Sequence, residues 1–137
     1  MAAQAAEFYT TGKNSWKIGA DIIKPSSGLG AIRYMDLPSR DGKSIDSADK
    51  YRDNMNVFYA SGVFDRLFYL LANSPQWNTK KAFDVMVKAN IGYWTPTSTF
   101  KEAACGVIEA TKDLNYAVAD VKKALDVVKI DYKSCRV

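Results

Sequence analysis

Apolar residues in the second half of the chain recur at helical spacing. One wide apolar face is formed by Val63, Phe64, Leu67, Phe68, Leu70 and Leu71. Ser61 or Gly62 stands where such a helix should begin. Ser74 ends it, because the residue before a proline is pushed out of the helical region and Pro75 follows.

Asn78 is placed to cap a second helix in this half. The apolar residues of that helix are Phe83, Met86, Val87 and Ile91. Asp84 and Lys88 are four residues apart, which places both on its solvent-facing side. The Thr95-Pro96 pair then interrupts the helical pattern.

A capping box predicts the third helix, because Thr99 and Glu102 have the required spacing of three residues. Its apolar residues include Val107, Ile108 and Ala110. A last helix is predicted over about residues 118–128, with Val121, Leu125 and Val128 facing inward.

The first half is less regular. Residues 2–10 predict a helix that ends near Gly12. Trp16–Ile23 fits either a short strand or an extended loop, and residues 25–30 form a turn cluster. Residues 38–56 are polar and loop-rich, and Asp46 or Ser47 could cap one short helix there.

These elements predict an all-α fold, a compact bundle of about five helices with long N-terminal loops. We expect a single domain over residues 1–137, divided into a helix plus loops (1–56), a helical core (57–130) and a tail (131–137). The length of 137 residues, the 47% of hydrophobic residues and the 25% of charged residues agree with one globular domain.

The chain contains no histidine. It therefore supplies neither a Ser-His-Asp triad nor a Cys-His pair nor a His-ligated zinc. The net charge of +4 comes from interspersed charges, so we expect no nucleic-acid partner. No apolar stretch approaches the roughly 18 residues of a membrane span, and the first residues do not resemble a signal peptide.

The residues alone offer little further chemistry. The glycines of residues 28–33 lack the spacing of a phosphate-binding loop. Three acidic residues at helical spacing fit a solvated face better than a metal site: Asp46, Asp49 and Asp53. The aromatic residues Trp77, Tyr93 and Trp94 fit core or rim positions. Cys105 and Cys135 are compatible with two buried thiols or with one disulfide, and their spacing does not decide between these.

Several stretches resemble the thermolysin family of zinc metalloendopeptidases, most closely its vibriolysin and pseudolysin branch. They are GAIRYMDLPSRDGKSID (residues 30–46), ASGVFDRLFYLLANSP (60–75), NIGYWTPTS (90–98), ACGVI (104–108) and DLNYAVADV (113–121). The resemblance is collinear from about Ala2 to Ile130. It corresponds to the C-terminal helical half of such an enzyme and implies a bundle of about five helices.

The resemblance also implies that the catalytic parts are missing. The zinc-binding helix of the family lies in the other half, and by our alignment the third zinc ligand would precede Met1. The family places a histidine that stabilises the oxyanion, with an acidic residue that orients it, just before the Ser61-Gly62 pair. Here Phe58 stands at the histidine position and Asn56 at the acidic position. We therefore expect no catalytic residue and no catalytic metal site in this chain.

The calcium site of the branch is degraded in the same comparison. Its three carboxylate positions correspond to Gln4, Glu7 and Ser15, so only Glu7 is retained. Because Ca²⁺ prefers several charged oxygens, we expect this chain to need no cofactor.

Other residues of the family pattern are retained in this chain. Arg33 matches an arginine that binds a substrate carbonyl, and Ile18 and Ile32 match walls of the neighbouring pocket. With Phe58 these residues are predicted to line one shallow binding groove, although Arg33 could instead brace loops and the two isoleucines could belong to the core. Cys105 and Cys135 match a disulfide of the branch, which implies an oxidising compartment. We therefore expect a secreted or periplasmic protein whose signal peptide lies outside this chain.

Two functions follow. In the first, the chain is a non-catalytic binding or interaction module. In the second, it is the C-terminal half of a secreted zinc metalloendopeptidase whose zinc-binding half is a separate or removed segment. A weaker third hypothesis is an inhibitor or chaperone. The expected partner is a protein or peptide, such as an intact peptidase or its N-terminal half, and a homodimer stays open because an unpaired domain face can expose apolar surface.

Overall fold

The computed structural model describes residues 1–136. Its helices are α1 (Ala2–Thr11), α2 (Val57–Ala60), α3 (Gly62–Ala72), α4 (Thr79–Gly92), α5 (Phe100–Asp113) and α6 (Val118–Val127). Five of them have ten or more residues, and α2 is a single turn that leads into α3. The predicted all-α bundle of five helices is confirmed. Val137, the last residue of the predicted tail, lies outside the described residues.

Local sequence signals set several helix ends. Gly12 ends α1 with a left-handed backbone at φ 73°, a conformation that glycine adopts without steric cost. The side chain of Asn78 accepts the backbone N–H of Lys81 at 2.9 Å and so caps α4. Thr99 and Glu102 form the predicted capping box at the start of α5.

The N-terminal half contains one small hairpin between α1 and α2. Its strands are β1 (Lys17–Ile18) and β2 (Arg33–Tyr34), which pair antiparallel with Ile18 opposite Arg33. The ambiguous segment at residues 16–23 is therefore a two-residue strand followed by turns. Around the expected short helix, only a 3₁₀ turn at Ala48–Lys50 forms, and the Ser47 side chain does not cap it.

The core lies where α3, α4, α5 and α6 meet. Helix α4 packs against α1, α3 and α5, while α6 packs against α3 and α5. The largest side chains in the core are Met35, Leu67, Phe68, Leu71, Ile108 and Leu125. The inward positions predicted for Val121, Leu125 and Val128 are observed.

The prediction for α4 was partly wrong. Met86 is buried as expected, but Val87 is exposed and Ile91 is 79% exposed. The buried face of α4 is instead formed by Ala82, Val85, Met86 and Ala89. These positions follow the helical repeat of 3.6 residues, and the small side chains of Ala82 and Ala89 let neighbouring helices approach closely.

A disulfide joins Cys105 in the middle of α5 to Cys135 near the end of the chain, with 5.3 Å between their Cα atoms. It fixes the tail against the helical core. Among residues 1–136, no helix has both the length and the apolar character needed to cross a membrane.

Candidate functional site: the Arg33 network

Arg33 is held at the N-terminal end of α3 by three hydrogen bonds. Its Nη1 donates to Ser61 Oγ and to Asp65 Oδ2, each at 2.7 Å, and its Nη2 donates to the backbone oxygen of Phe58 at 2.7 Å. Ser61 Oγ also donates to that oxygen at 2.9 Å. The guanidinium group is thus fixed by an ion pair, a hydroxyl and a main-chain carbonyl.

The guanidinium group has N–H donors that these three bonds do not use. An arginine carries five N–H donors, and the three bonds above leave Nε–H and one Nη2–H without a partner among residues 1–136. The Arg33 side chain is 23% exposed, whereas that of Asp65 is 11% exposed. A positioned and partly exposed guanidinium of this kind can donate to the carbonyl oxygens of a bound ligand.

Phe58 contributes only its backbone to this network. Its carbonyl accepts from Arg33, whereas its side chain is 67% exposed. The Asn56 side chain accepts the Phe58 N–H at 2.9 Å and so caps α2. Asn56, at the expected acidic position, therefore caps a helix here. Phe58, at the expected histidine position, has a phenyl ring with no group that could donate to an oxyanion.

The predicted groove residues are brought together only in part. Ile18 lies opposite Arg33 across the hairpin, and Arg33 contacts Phe58 directly. Ile32 is 54% exposed and packs over Gly19, where an added Cβ would stand 2.5 Å from the Ile32 side chain. Whether the four residues line one groove stays a prediction.

A cavity that the sequence did not predict adjoins this network. Its volume is about 350 Å³, and Ser61 and Asp65, which both bond to Arg33, form part of its wall. The aromatic residues in its lining are Phe64, Trp94 and Phe100. Phe64 stacks on Phe100 and meets Trp94 edge to face. Sequence reasoning assigned Trp94 to a core or rim position and Phe64 to the apolar face of a helix, and only the tertiary packing places these rings beside Ser61 and Asp65.

The charge of Arg33 also reaches the loop before α2. Burial pushes the pKa of Asp41 upward, but hydrogen bonds from Ser44 and from the Lys43 amide outweigh it, and the Arg33 charge adds to them. The pKa of Asp41 is therefore held below its usual value.

A second network is formed by residues that the resemblance places at calcium positions. Gln4 is only 1% exposed. Its Nε2 donates to Lys17 O at 2.9 Å, and its Oε1 accepts from Asn14 Nδ2 at 3.0 Å and from Trp16 N at 3.1 Å. Asn14 in turn accepts a hydrogen bond from Thr79 at the start of α4. The amide of Gln4 thus ties α1 to the hairpin.

Glu7, the one retained carboxylate, is engaged in the same way. Its Oε1 accepts the Ser15 N–H at 3.1 Å, and its Oε2 accepts the Ser15 hydroxyl at 3.0 Å. Both carboxylate oxygens of Glu7 therefore accept hydrogen bonds from Ser15.

The residues present do not fit a zinc site of the thermolysin type. Zinc of the thermolysin type requires imidazole ligands, and the chain has no histidine. Within residues 1–136, no three His, Cys, Asp or Glu side chains converge as a ligand set.

The fold and its site define a disulfide-linked helical domain with a fixed arginine at one end of its central helix. The family model for the alpha-helical domain of thermolysin metallopeptidases matches residues 1–130, and the chain belongs to this family.

Similarity to individual proteins supports this family membership. The chain is 61% identical over all of its 137 residues to a "Zinc metalloproteinase" of Legionella pneumophila, and covers 25% of that protein. It is 52% identical over 131 residues, 96% of this chain, to the "Neutral protease" of Vibrio proteolyticus, and covers 21% of it. A more distant relative is "Bacillolysin" of Bacillus cereus, at 31% identity over 91% of this chain and 25% of that protein. The chain thus spans about a quarter of the length of these curated relatives.

Proposed function

We propose that this domain binds extended peptide segments at the Arg33 network and that it does not hydrolyse them on its own. The observation that carries this is the state of Arg33. Three of its donors are fixed by Asp65, Ser61 and the Phe58 carbonyl, and two remain without a partner among the described residues.

The surroundings support an apolar peptide as the ligand. Asp65 balances the charge of Arg33, so a neutral main-chain carbonyl fits the remaining donors better than a second carboxylate does. The aromatic cavity of about 350 Å³ lies next to the ion pair and is suited to an apolar side chain. The exposed side chains of Ile32 and Phe58 add apolar contact surface nearby.

Titration with N-acetyl-Phe-Leu-Ala-amide, followed by ¹H–¹⁵N NMR, tests the binding. The chain has three tryptophans, so each indole gives one signal. We expect the signal of Trp94 to shift, because Trp94 lines the cavity and its Nε1–H donates to Ala103 O at 2.9 Å.

A matched pair of exposed apolar residues provides the control. Phe58→Ala should lower the affinity for the peptide at least fivefold. Ile91→Ala, at a more exposed residue on α4, should leave that affinity unchanged. An unmoved Trp94 signal, or equal affinity in both variants, would contradict the proposal.

A second candidate function is the C-terminal half of a split zinc metalloendopeptidase. The observation that favours it is 61% identity over the whole chain to a zinc metalloproteinase four times as long. Against it stands Phe58, because the loss of one oxyanion donor typically lowers kcat by about 10²–10³.

Casein hydrolysis separates the two functions. The chain is assayed with Zn²⁺ and Ca²⁺, alone and mixed with the remaining N-terminal part of the Legionella pneumophila relative. We expect no chelator-sensitive turnover by the chain alone, and weak turnover in the mixture that Phe58→His increases. Turnover of the unmodified mixture near that of the intact relative would favour the split enzyme.

The disulfide between Cys105 and Cys135 supports export to an oxidising compartment. Two free thiols, titrated in the denatured and unreduced protein from its natural source, would contradict export. The predicted protein partner, an intact peptidase or its zinc-binding half, and the predicted homodimer stay predictions.

A further inference from the structure

Two polar clefts flank Trp77 beyond the C-terminal end of α3. The first has a volume of about 380 Å³, and its lining includes Lys13, Asn14, Trp16, Asn73 and Asn78. The second has about 220 Å³, and its lining includes Gln76, Lys81, Asn115, Tyr116 and Asp120. Trp77 lines both. The eleven residues of α3 separate these clefts from the Arg33 network by roughly 16 Å, so they form a separate feature.

Side-chain amides in the clefts offer unused hydrogen-bonding groups. Asn73 bonds only through Nδ2, and Asn78 only through Oδ1. The other amide atoms of these two residues, and the whole side-chain amides of Gln76 and Asn115, have no hydrogen bond to residues 1–136. Each amide group can donate and accept, so the clefts present several neutral donors and acceptors around one indole ring.

The aromatic residues between these amides are fixed in position. Trp77 Nε1 donates to Asp120 Oδ2 at 3.1 Å. The rings of Trp77 and Tyr116 meet edge to face, with 5.6 Å between their centroids. Trp77 is only partly buried, so part of its apolar surface remains accessible.

Unfavourable backbone conformations are concentrated at the clefts. Five residues other than glycine have a positive φ among residues 1–136, and three of them line these clefts: Trp16 (58°), Gln76 (67°) and Asn115 (56°). Such conformations are rare for tryptophan and glutamine, and they are concentrated at functional sites in proteins.

Most charges in the clefts already have partners. Lys81 Nζ donates to Gln76 O at 2.7 Å and lies 5.5 Å from the Tyr116 ring centroid. Asp120 accepts from Trp77 and pairs with Lys123. Lys13 is the remaining charge, so the groups left for a ligand are mainly neutral amides and aromatic surface.

We propose that the two clefts bind a neutral oligosaccharide, with one sugar unit on each side of Trp77. The hydroxyl groups of a sugar donate and accept as amides do, and the C–H face of a sugar ring packs on an aromatic side chain. Two clefts that share one tryptophan fit a chain of linked sugars better than a single small molecule.

Titration with chitotetraose, cellotetraose and maltotetraose tests this site on the 137-residue chain. We expect at least one of them to bind saturably and to shift the indole signal of Trp77 while that of Trp94 stays in place. This readout keeps the test independent of peptide binding at the Arg33 network, where Trp94 is the reporter.

Glycine variants supply the control without disturbing the backbone, because glycine adopts a positive φ readily. Gln76→Gly/Asn115→Gly should lower the affinity for the oligosaccharide at least tenfold. Asn54→Gly replaces an exposed amide with the same backbone conformation (φ 66°) outside both clefts, and should change affinity less than twofold.

Three results would overturn the proposal. The first is that none of the three oligosaccharides binds, and the second is that Gln76→Gly/Asn115→Gly binds as well as the unmodified protein. The third is that N-acetyl-Asn-Gln-Asn-amide shifts the Trp77 signal while the oligosaccharides do not, which would assign the clefts to a peptide.

Discussion

The Arg33 network and the Gln4 network both occupy positions at which the family resemblance places functional groups, yet they differ in burial. At the Arg33 network, Phe58 replaces the expected histidine with a side chain that is 67% exposed and makes no side-chain hydrogen bond. At the Gln4 network, Gln4 stands at an expected calcium-ligand position, is 1% exposed, and bonds through its amide to three groups of residues 14–17. The Phe58 side chain therefore takes no part in the hydrogen bonding that holds the fold, whereas the Gln4 amide joins α1 to the hairpin.

The largest effect is expected when the carboxylates of the calcium positions are restored. Gln4→Glu/Ser15→Asp would place one carboxylate at the buried position 4 and a second beside Glu7 at the exposed position 15, and would remove the donor to Lys17 O. We expect a loss of about 3 kcal/mol or more in the free energy of unfolding without Ca²⁺. Saturating Ca²⁺ should recover about 2–3 kcal/mol.

The unmodified protein is the control for that variant. Its free energy of unfolding should change by less than about 0.5 kcal/mol between 10 mM Ca²⁺ and EDTA, because the Gln4 network needs no ion. A comparable loss of stability in EDTA would show that the native network still depends on calcium.

Removal of the Gln4 amide should have the next largest effect. Gln4→Ala leaves the Trp16 N–H without its acceptor and Lys17 O with only the 3.3 Å bond from Ser15 Oγ, and we expect it to cost about 2–3 kcal/mol in urea unfolding. Gln76→Ala removes an exposed amide whose side chain bonds to nothing in residues 1–136, and should cost less than about 0.5 kcal/mol. Equal losses of stability would contradict the expectation that the buried Gln4 amide stabilises the fold more than the exposed Gln76 amide does.

The helices could be predicted because their signals are local. The capping box at Thr99, the cap at Asn78 and the apolar faces of α3 and α6 are readable within one or two turns. The Gln4 network could not be predicted from local sequence, because its bonds connect residues 10 to 65 positions apart. The sequence identified Gln4 only as a lost ligand and gave no indication of what it bonds to.

The Arg33 network shows the same limit. The resemblance identified Arg33, Asn56 and Phe58, but Asp65 was read only as part of α3. The partnership of Arg33 with Asp65 spans 32 positions and depends on how the hairpin packs against α3. The aromatic cavity escaped prediction because aromatic residues that line a pocket and aromatic residues in a core have the same sequence pattern.

Loss of the Asp65 charge should have an intermediate effect. Asp65→Asn keeps the shape of the side chain but removes the ion pair at 2.7 Å, and we expect a cost of about 1–2 kcal/mol because the pair is partly exposed. Asp84→Asn breaks the exposed pair with Lys80 and should cost less than about 0.5 kcal/mol. If the two variants lost equal stability, the Arg33 network would contribute no more than a surface ion pair.

The smallest effect on stability is expected at Phe58. Phe58→His should change the free energy of unfolding by less than about 0.5 kcal/mol, because the replaced ring is mostly exposed. The variant would contain one histidine in the whole chain, so its imidazole gives a single titrating NMR signal. With Arg33 bonded to the adjacent carbonyl, we expect the pKa of that imidazole to lie below the usual value of about 6.5. Addition of Asn56→Asp should raise that pKa, because a carboxylate two residues away favours the protonated ring. An unchanged pKa in the double variant would show that position 56 does not act on position 58, and would contradict the assignment of Asn56 to the position of the orienting acid.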